Sequence, residues 1–195
     1  HDLWIISDET YEKIIYDDHV HYSIASLHPE FPDRTITIGS LSKTYGMTGW
    51  RVGFIAAPAR IIKAAAYLNQ NSARMASAFV QHAAKEAYSG SQDAVEEMVQ
   101  GYRVRSRTIV EGLESIPGIA CVPPEGTFYV FLQISQFGLS SLDFAKHLVI
   151  SGGVASTPGH SYGPAGEGYI RLSFATEISE IEKGIEGISK ALKEL

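Results

Sequence analysis

The chain has 195 residues, 45% hydrophobic and 19% charged, which suits one large globular domain or two small ones and excludes a disordered chain. A formal net charge of −6 excludes a nucleic-acid surface, which needs clustered Lys and Arg. The single cysteine, Cys121, leaves no disulfide framework within the chain, no apolar run approaches a membrane span, and no signal peptide is visible. A soluble cytoplasmic protein with neither nucleic-acid nor membrane partners is expected.

The chain opens on His1, and Leu3-Trp4-Ile5-Ile6 already reads as a buried strand of the parallel type, whose two covered faces demand a continuous apolar run. Domains rarely begin in the middle of their own sheet, so a piece of something longer is expected. Further strands are predicted over 34–38 and 52–56. Pro58 then opens a helix over 59–69, a second helix follows over 77–88, and Ser89-Gly90-Ser91 closes it. A longer helix is predicted over 92–115, with Val95, Met98, Tyr102, Ile109 and Leu113 on one face, until Ile116-Pro117-Gly118 stops it.

Beyond that point the pattern changes. Strands are predicted over 119–122 and 127–134, separated by the turn-forming Pro123-Pro124-Glu125-Gly126. A short helix over 141–151 puts Leu142, Ala145 and Leu148 on one face. Strands over 153–156 and 169–175 flank a loop rich in Gly and Pro. Ile178, Ile181, Ile185, Ile188 and Leu192, spaced 3,4,3,4, mark a last amphipathic helix. The expected fold class is α/β: a mostly parallel sheet with flanking helices over 1–91, then a linking helix and a small α+β domain over 92–195.

The chemistry concentrates in the run from Ser40 to Gly53, which places Lys43 and Arg51 among hydroxyls and glycines just after a strand. Lysine is the side chain that forms a reversible Schiff base with an aldehyde cofactor, and an apolar setting lowers its pKa toward neutrality. Arg51, Ser40 and Ser42 can bind a phosphate, each charged contact contributing about 1.5–3 kcal/mol. Alone, this run equally accommodates a surface lysine beside a Gly-rich turn. Asp8-Glu9-Thr10-Tyr11 directly follows the first strand, at the end where α/β sheets bind ligands. A carboxylate there can keep a pyridine nitrogen protonated, and Tyr11 can donate to the ring's phenolic oxygen. The plainer alternative is that Asp8 caps a turn and Tyr11 packs at a rim.

Three ordered segments carry a resemblance: Asp8-Glu9-Thr10-Tyr11, Ser40-Leu41-Ser42-Lys43 with Arg51 following, and Tyr169-Ile170-Arg171-Leu172-Ser173. Together with the turns Pro124-Glu125-Gly126-Thr127-Phe128-Tyr129 and Pro158-Gly159-His160-Ser161-Tyr162-Gly163, they resemble the C-terminal half of class I/II aminotransferases, the aspartate aminotransferase-like family. The likeness covers essentially the whole chain. It implies pyridoxal 5'-phosphate as cofactor, held covalently by Lys43, which would also move the proton between substrate Cα and cofactor C4′. It implies Asp8 at the pyridinium nitrogen, Tyr11 at O3′, Ser40 and Arg51 at the phosphate with Ser42 nearby, and Arg171 on the substrate α-carboxylate.

The family transfers an amino group between an amino acid and a 2-oxo acid, through a large cofactor domain and a small closing domain, usually in a homodimer. Members are about twice this length, and the absent half normally supplies the phosphate-binding turn, a stacked aromatic ring and an Asn at O3′. An isolated 195-residue chain is therefore expected to be inactive. Thr10 stands where the family more often has an aliphatic residue. A lyase or decarboxylase on the same scaffold, or a non-catalytic partner-binding fragment, are the alternatives.

Three other signals are decoys. Gly159-His160-Ser161-Tyr162-Gly163 matches G-x-S-x-G, but no helix pattern follows the serine and no His lies beyond His160. Ser40-Leu41-Ser42-Lys43 matches S-x-x-K without its companion motifs. His19, His21 and His28 are expected to be scattered surface histidines and not metal ligands. Arg74 lies where a relative acting on dicarboxylates can carry a second basic residue, and equally suits a helix surface.

Overall fold

The computed structural model describes residues 2–195, so His1 lies outside the described residues. Two compact units are present, one running to Met98 and the other Val99–Leu195, with the division inside the longest helix.

In the first unit, Ile5–Asp8 (β1) pairs in parallel with Thr35–Ser40 (β2), Asp8 opposite Ile38. β2 runs directly into one helical turn, Leu41–Thr44 (α1), and the chain returns as Gly53–Ala56 (β3), antiparallel to β2 with Ser40 opposite Gly53. The return is tight: a Cβ on Gly53 would sit 2.6 Å from the carbonyl oxygen of Gly39, so only glycine permits this approach of the two backbones. Ala59–Gln70 (α2) starts at Pro58 as expected, and Ala78–Ser89 (α3) follows.

One expectation is corrected here. Leu3 and Ile6 are 65% and 68% exposed, although residues 3–6 read as a buried strand; all four residues of β3 are exposed as well. An apolar run reports what side chains prefer; exposure depends on the layers packed over them, and in this unit that surface is open.

Asp93–Glu114 (α4) begins where Ser91 accepts from the Asp93 N–H at 3.1 Å, and Asp93 and Glu96 in its first turn complement the helix dipole. In the second unit, Ala120–Cys121 (β4), Tyr129–Gln133 (β5), Thr157–Pro158 (β6) and Tyr169–Ser173 (β7) form an antiparallel sheet in the order β4-β5-β7-β6. Between β5 and β6 lies Ser141–His147 (α5), and Ile178–Leu192 (α6) ends the unit. Val130, Leu132, Ile170 and Leu172 point to the buried face, joined by Phe144 and Leu148 and by Ile181 and Ile188 of α6. Each fully buried side chain of this size contributes about 1.5–3 kcal/mol. The alternating partners Tyr129, Phe131, Tyr169 and Arg171 stand on the opposite face.

Two boundaries differ from the sequence reading. α5 ends at His147 and continues as a wider π turn over Leu148–Gly152, where the backbones of Gly152 and Gly187 meet so closely that a Cβ on either would lie 2.4 Å from the other's carbonyl oxygen. The strand expected over 153–156 is not formed. Gly153 takes φ +67 as it leaves the π turn, and ladder pairing begins only at Thr157, opposite Arg171.

Candidate functional site

The first unit gathers the expected cofactor residues at one end of its sheet. Because β1 and β2 are parallel and in register, Asp8 at the end of β1 and the β2–α1 junction emerge at the same sheet edge. Ser40 ends β2 and caps α1, its hydroxyl accepting from the Ser42 N–H at 3.2 Å; Lys43 lies half-buried in that turn. Arg51 follows a turn over Thr48–Trp50 and adopts the left-handed conformation at φ 52, ψ 50, a geometry costing a non-glycine residue about 1–3 kcal/mol. Its guanidinium donates to the Thr48 carbonyl at 3.1 Å. Ser40, Ser42 and Arg51 line one cavity of about 830 Å³, floored by Gly39 and Gly53 and walled by α2 residues such as Ile62 and Ala66. Asp8, Tyr11 and Lys43 do not line that cavity.

Asp8 does cap a turn: its Oδ1 accepts from the N–H of Thr10 at 3.2 Å and from the Thr10 hydroxyl. Its side chain is exposed, and among the described residues Oδ2 carries no hydrogen bond. Tyr11 is half-buried in the turn that follows, its carbonyl accepting from Ile14 at 2.9 Å.

Residues that the motif reading passed over hold this arrangement. Glu9 accepts from Ser7 and Ser23 hydroxyls at 2.9 Å, from the Ile24 N–H at 3.3 Å, and meets His21 Nε2 at 3.1 Å. Burial alone raises its carboxyl, but the hydrogen bonds from His21, Ser23 and Ser7 outweigh it and hold the group below the usual carboxylate range. Thr44, next to Lys43 and fully buried, donates to Glu12 at 3.1 Å, tying α1 to the turn that bears Tyr11. Burial and the facing Glu12 carboxylate keep the Tyr45 phenol above its ordinary range and push Tyr88 to about 12, so both rings stay neutral.

In the second unit, Arg171 sits mid-strand on β7, half-buried. No carboxylate pairs with it among the described residues; its guanidinium lies 4.0 Å from the Tyr129 ring centroid and 5.1 Å from that of Tyr162. The decoys resolve simply. Ser161 belongs to a short turn over Gly159–Tyr162, followed by another over Pro164–Gly166 and then β7, with no helix behind the serine. His21 is held by Glu9, and Arg74 occupies a left-handed turn position at φ 62 after α2 and not a helix surface.

Residues 1–188 match the family model for aminotransferase class I and II. The chain belongs to the class I and II aminotransferases. It is 43% identical to an aspartate aminotransferase of Pyrococcus abyssi and 41% identical to an aromatic-amino-acid aminotransferase of Thermococcus litoralis, in each case over all of this chain and 50% of the relative. The solved aromatic aminotransferase of Pyrococcus horikoshii OT3 superimposes with a TM-score of 0.96 at 43% identity, over 100% of this chain and 52% of that one. A PLP-bound structure from Clostridium difficile 630 gives a TM-score of 0.92 at 27% identity. This aminotransferase chain thus spans about half the length of the curated relatives it matches. No described helix is long and apolar enough to cross a membrane.

Proposed function

We propose that the full-length protein carrying this chain is a pyridoxal-phosphate-dependent aminotransferase that moves an amino group between an amino acid and a 2-oxo acid. The chain supplies its C-terminal half: residues 1–91 the end of the large cofactor domain, residues 92–195 the linking helix and small domain. It works as a cytoplasmic homodimer. The observation that carries the reading is the convergence of Ser40, Ser42 and Arg51 on one cavity, within the same short run as Lys43.

These residues suit the cofactor. Two hydroxyls and a guanidinium fit a phosphate, and Asp8, with an oxygen still unspent, fits a protonated ring nitrogen. When bound, pyridoxal phosphate supplies an aldehyde that condenses with amines and an electron sink for charge developing at the substrate Cα. Lys43 holds the cofactor through its amine and then carries the proton between substrate Cα and C4′. Asp8 keeps the ring nitrogen protonated, Tyr11 donates at O3′, and Ser40, Ser42 and Arg51 fix the phosphate end. Arg171 grips the substrate α-carboxylate, for which its planar fork is matched.

The test is the visible spectrum of the full-length protein titrated with pyridoxal phosphate, followed by amino-acid panels that convert the bound aldehyde to the amine form. A cofactor band that disappears in Lys43→Ala, together with transfer to a 2-oxo acid, supports the reading. A band and turnover that survive in Lys43→Ala overturn it.

A further inference from the structure

Among the described residues Arg171 has no acidic partner, and aromatic rings hold it instead. In the β5–β7 register Phe131 lies opposite Arg171 and Tyr129 opposite Ser173, so Tyr129 is the diagonal same-face neighbour of Arg171. The Tyr129 ring approaches the guanidinium carbon to 4.0 Å, and Tyr162 approaches it to 5.1 Å. Both distances are within the reach of cation–π attraction. Aromatic neighbours fix both rings in turn: Phe128 lies 4.8 Å from Tyr129, and Phe131 meets Tyr162 edge-on at 6.0 Å while stacking on Tyr169 at 5.0 Å with planes 2° apart.

The backbones beneath both tyrosines are pinned. Thr127 is forced to φ 63, costly for a β-branched residue, and its hydroxyl accepts from the Tyr129 N–H at 3.2 Å. The turn carrying Tyr162 is fastened through Ser141, whose hydroxyl donates to Glu167 at 2.8 Å and accepts from the His160 N–H at 3.3 Å. Glu167 also accepts from the Ser141 N–H at 2.7 Å.

We infer that Tyr129 and Tyr162 are positioning residues that clamp the Arg171 guanidinium by its faces and leave its N–H fork for an incoming α-carboxylate. An acidic partner would orient the arginine equally well but would consume that fork and repel the substrate. Aromatic faces hold the cation without spending a donor, because the ring quadrupole attracts charge where no hydrogen bond is made. The inference rests on Arg171 as the carboxylate grip.

The experiment uses the full-length holoenzyme and two unreactive carboxylates, succinate and 3-phenylpropionate, titrated by calorimetry. Tyr129→Leu and Tyr162→Leu should each weaken binding by about 2- to 30-fold, the affinity equivalent of one cation–π contact. Tyr129→Phe, which keeps the ring, should stay within about twofold of wild type. In an Arg171→Ala background the Leu substitutions should have no further effect, a coupling that a merely structural role would not produce. Leu variants that bind like wild type while Arg171→Ala binds weakly overturn the clamp and leave the grip standing; tight binding by Arg171→Ala itself overturns both. Tyr162 is 49% exposed, so its variant keeps the test open if Tyr129→Leu folds poorly.

Discussion

Thr44 donates its hydroxyl to Glu12 at 3.1 Å across a sequence separation of 32 residues, joining the turn that carries Lys43 to the segment that follows Asp8. The other Glu12 oxygen, Oε2, is buried without a hydrogen-bond partner among the described residues. Thr44→Val keeps the shape and removes the donor, leaving the carboxylate with no hydrogen bond among the described residues. Stability of the full-length protein should fall by roughly 1–3 kcal/mol in denaturant titrations, with Thr44→Ser restoring most of it. A Val variant as stable as wild type would show that Glu12 is satisfied in another way.

Glu9 gives a pH prediction with a definite sign. Its folded carboxyl is held below the ordinary value by His21, Ser23 and Ser7 against the opposing effect of burial. A depressed folded pKa contributes stability that is fully present above the unfolded value, about 4.3, and is lost as pH falls through the folded value. Wild type should therefore lose more thermal stability than Glu9→Gln between pH 6 and 3 (roughly the window spanning both values). Parallel melting-temperature curves for the two proteins over that range would remove Glu9 as a source of acid sensitivity.

Arg51 occupies a strained backbone position while its side chain faces the same cavity as Ser40 and Ser42. Arg51→Ala removes one charge-assisted contact to a phosphate, so pyridoxal phosphate should dissociate about 10- to 150-fold more readily from the full-length protein. Inorganic phosphate should compete for cofactor uptake in wild type and less effectively in the variant. Equal cofactor affinity in the two proteins, measured by fluorescence or absorbance titration, would move the phosphate site away from Arg51.

Much of the fold is legible along the chain, because single elements announce themselves through local periodicity. The 3,4 spacing of isoleucines in α6 gives its buried stripe, with Ile181 and Ile188 in the core, and its bounds follow at once. Pro58 marks the start of α2 by its conformational preference, whereas the Ser91 hydroxyl that caps the Asp93 N–H emerges only from the structure. What joins elements far apart in sequence leaves no local trace. The hydroxyl of Thr44 is an ordinary helical residue until Glu12 is found beside it. Tyr129 and Arg171 read as alternate residues of two strands, and only the register that sets Phe131 opposite Arg171 brings ring and cation together. The strand expected over 153–156 failed for a related reason: two glycines allow either an extended chain or a helix exit, and the close meeting of Gly152 with Gly187 selects the exit.

Gly159 offers the sharpest test of how the Arg171 strand is supported. A Cβ built there would lie 2.0 Å from the Gly166 carbonyl oxygen and 2.5 Å from that of Tyr169, both backbone atoms that cannot swing aside like a side-chain end. Gly159 is buried and precedes His160, whose N–H is fastened to Ser141, and Tyr169 begins β7. Gly159→Ala must therefore push apart the turn carrying Tyr162 and the start of the strand carrying Arg171. Overpacking of this kind costs typically about 1–3 kcal/mol and sometimes more. Unfolding of the full-length variant should show at least that loss, and carboxylate affinity should fall with it, because the clamp and its cation are displaced together. Gly46→Ala is the matched control, since nothing lies within 4 Å of its added Cβ and only its φ of +62 resists the change. If Gly159→Ala lost no more stability and no more carboxylate affinity than Gly46→Ala, the close packing at Gly159 would carry no special weight.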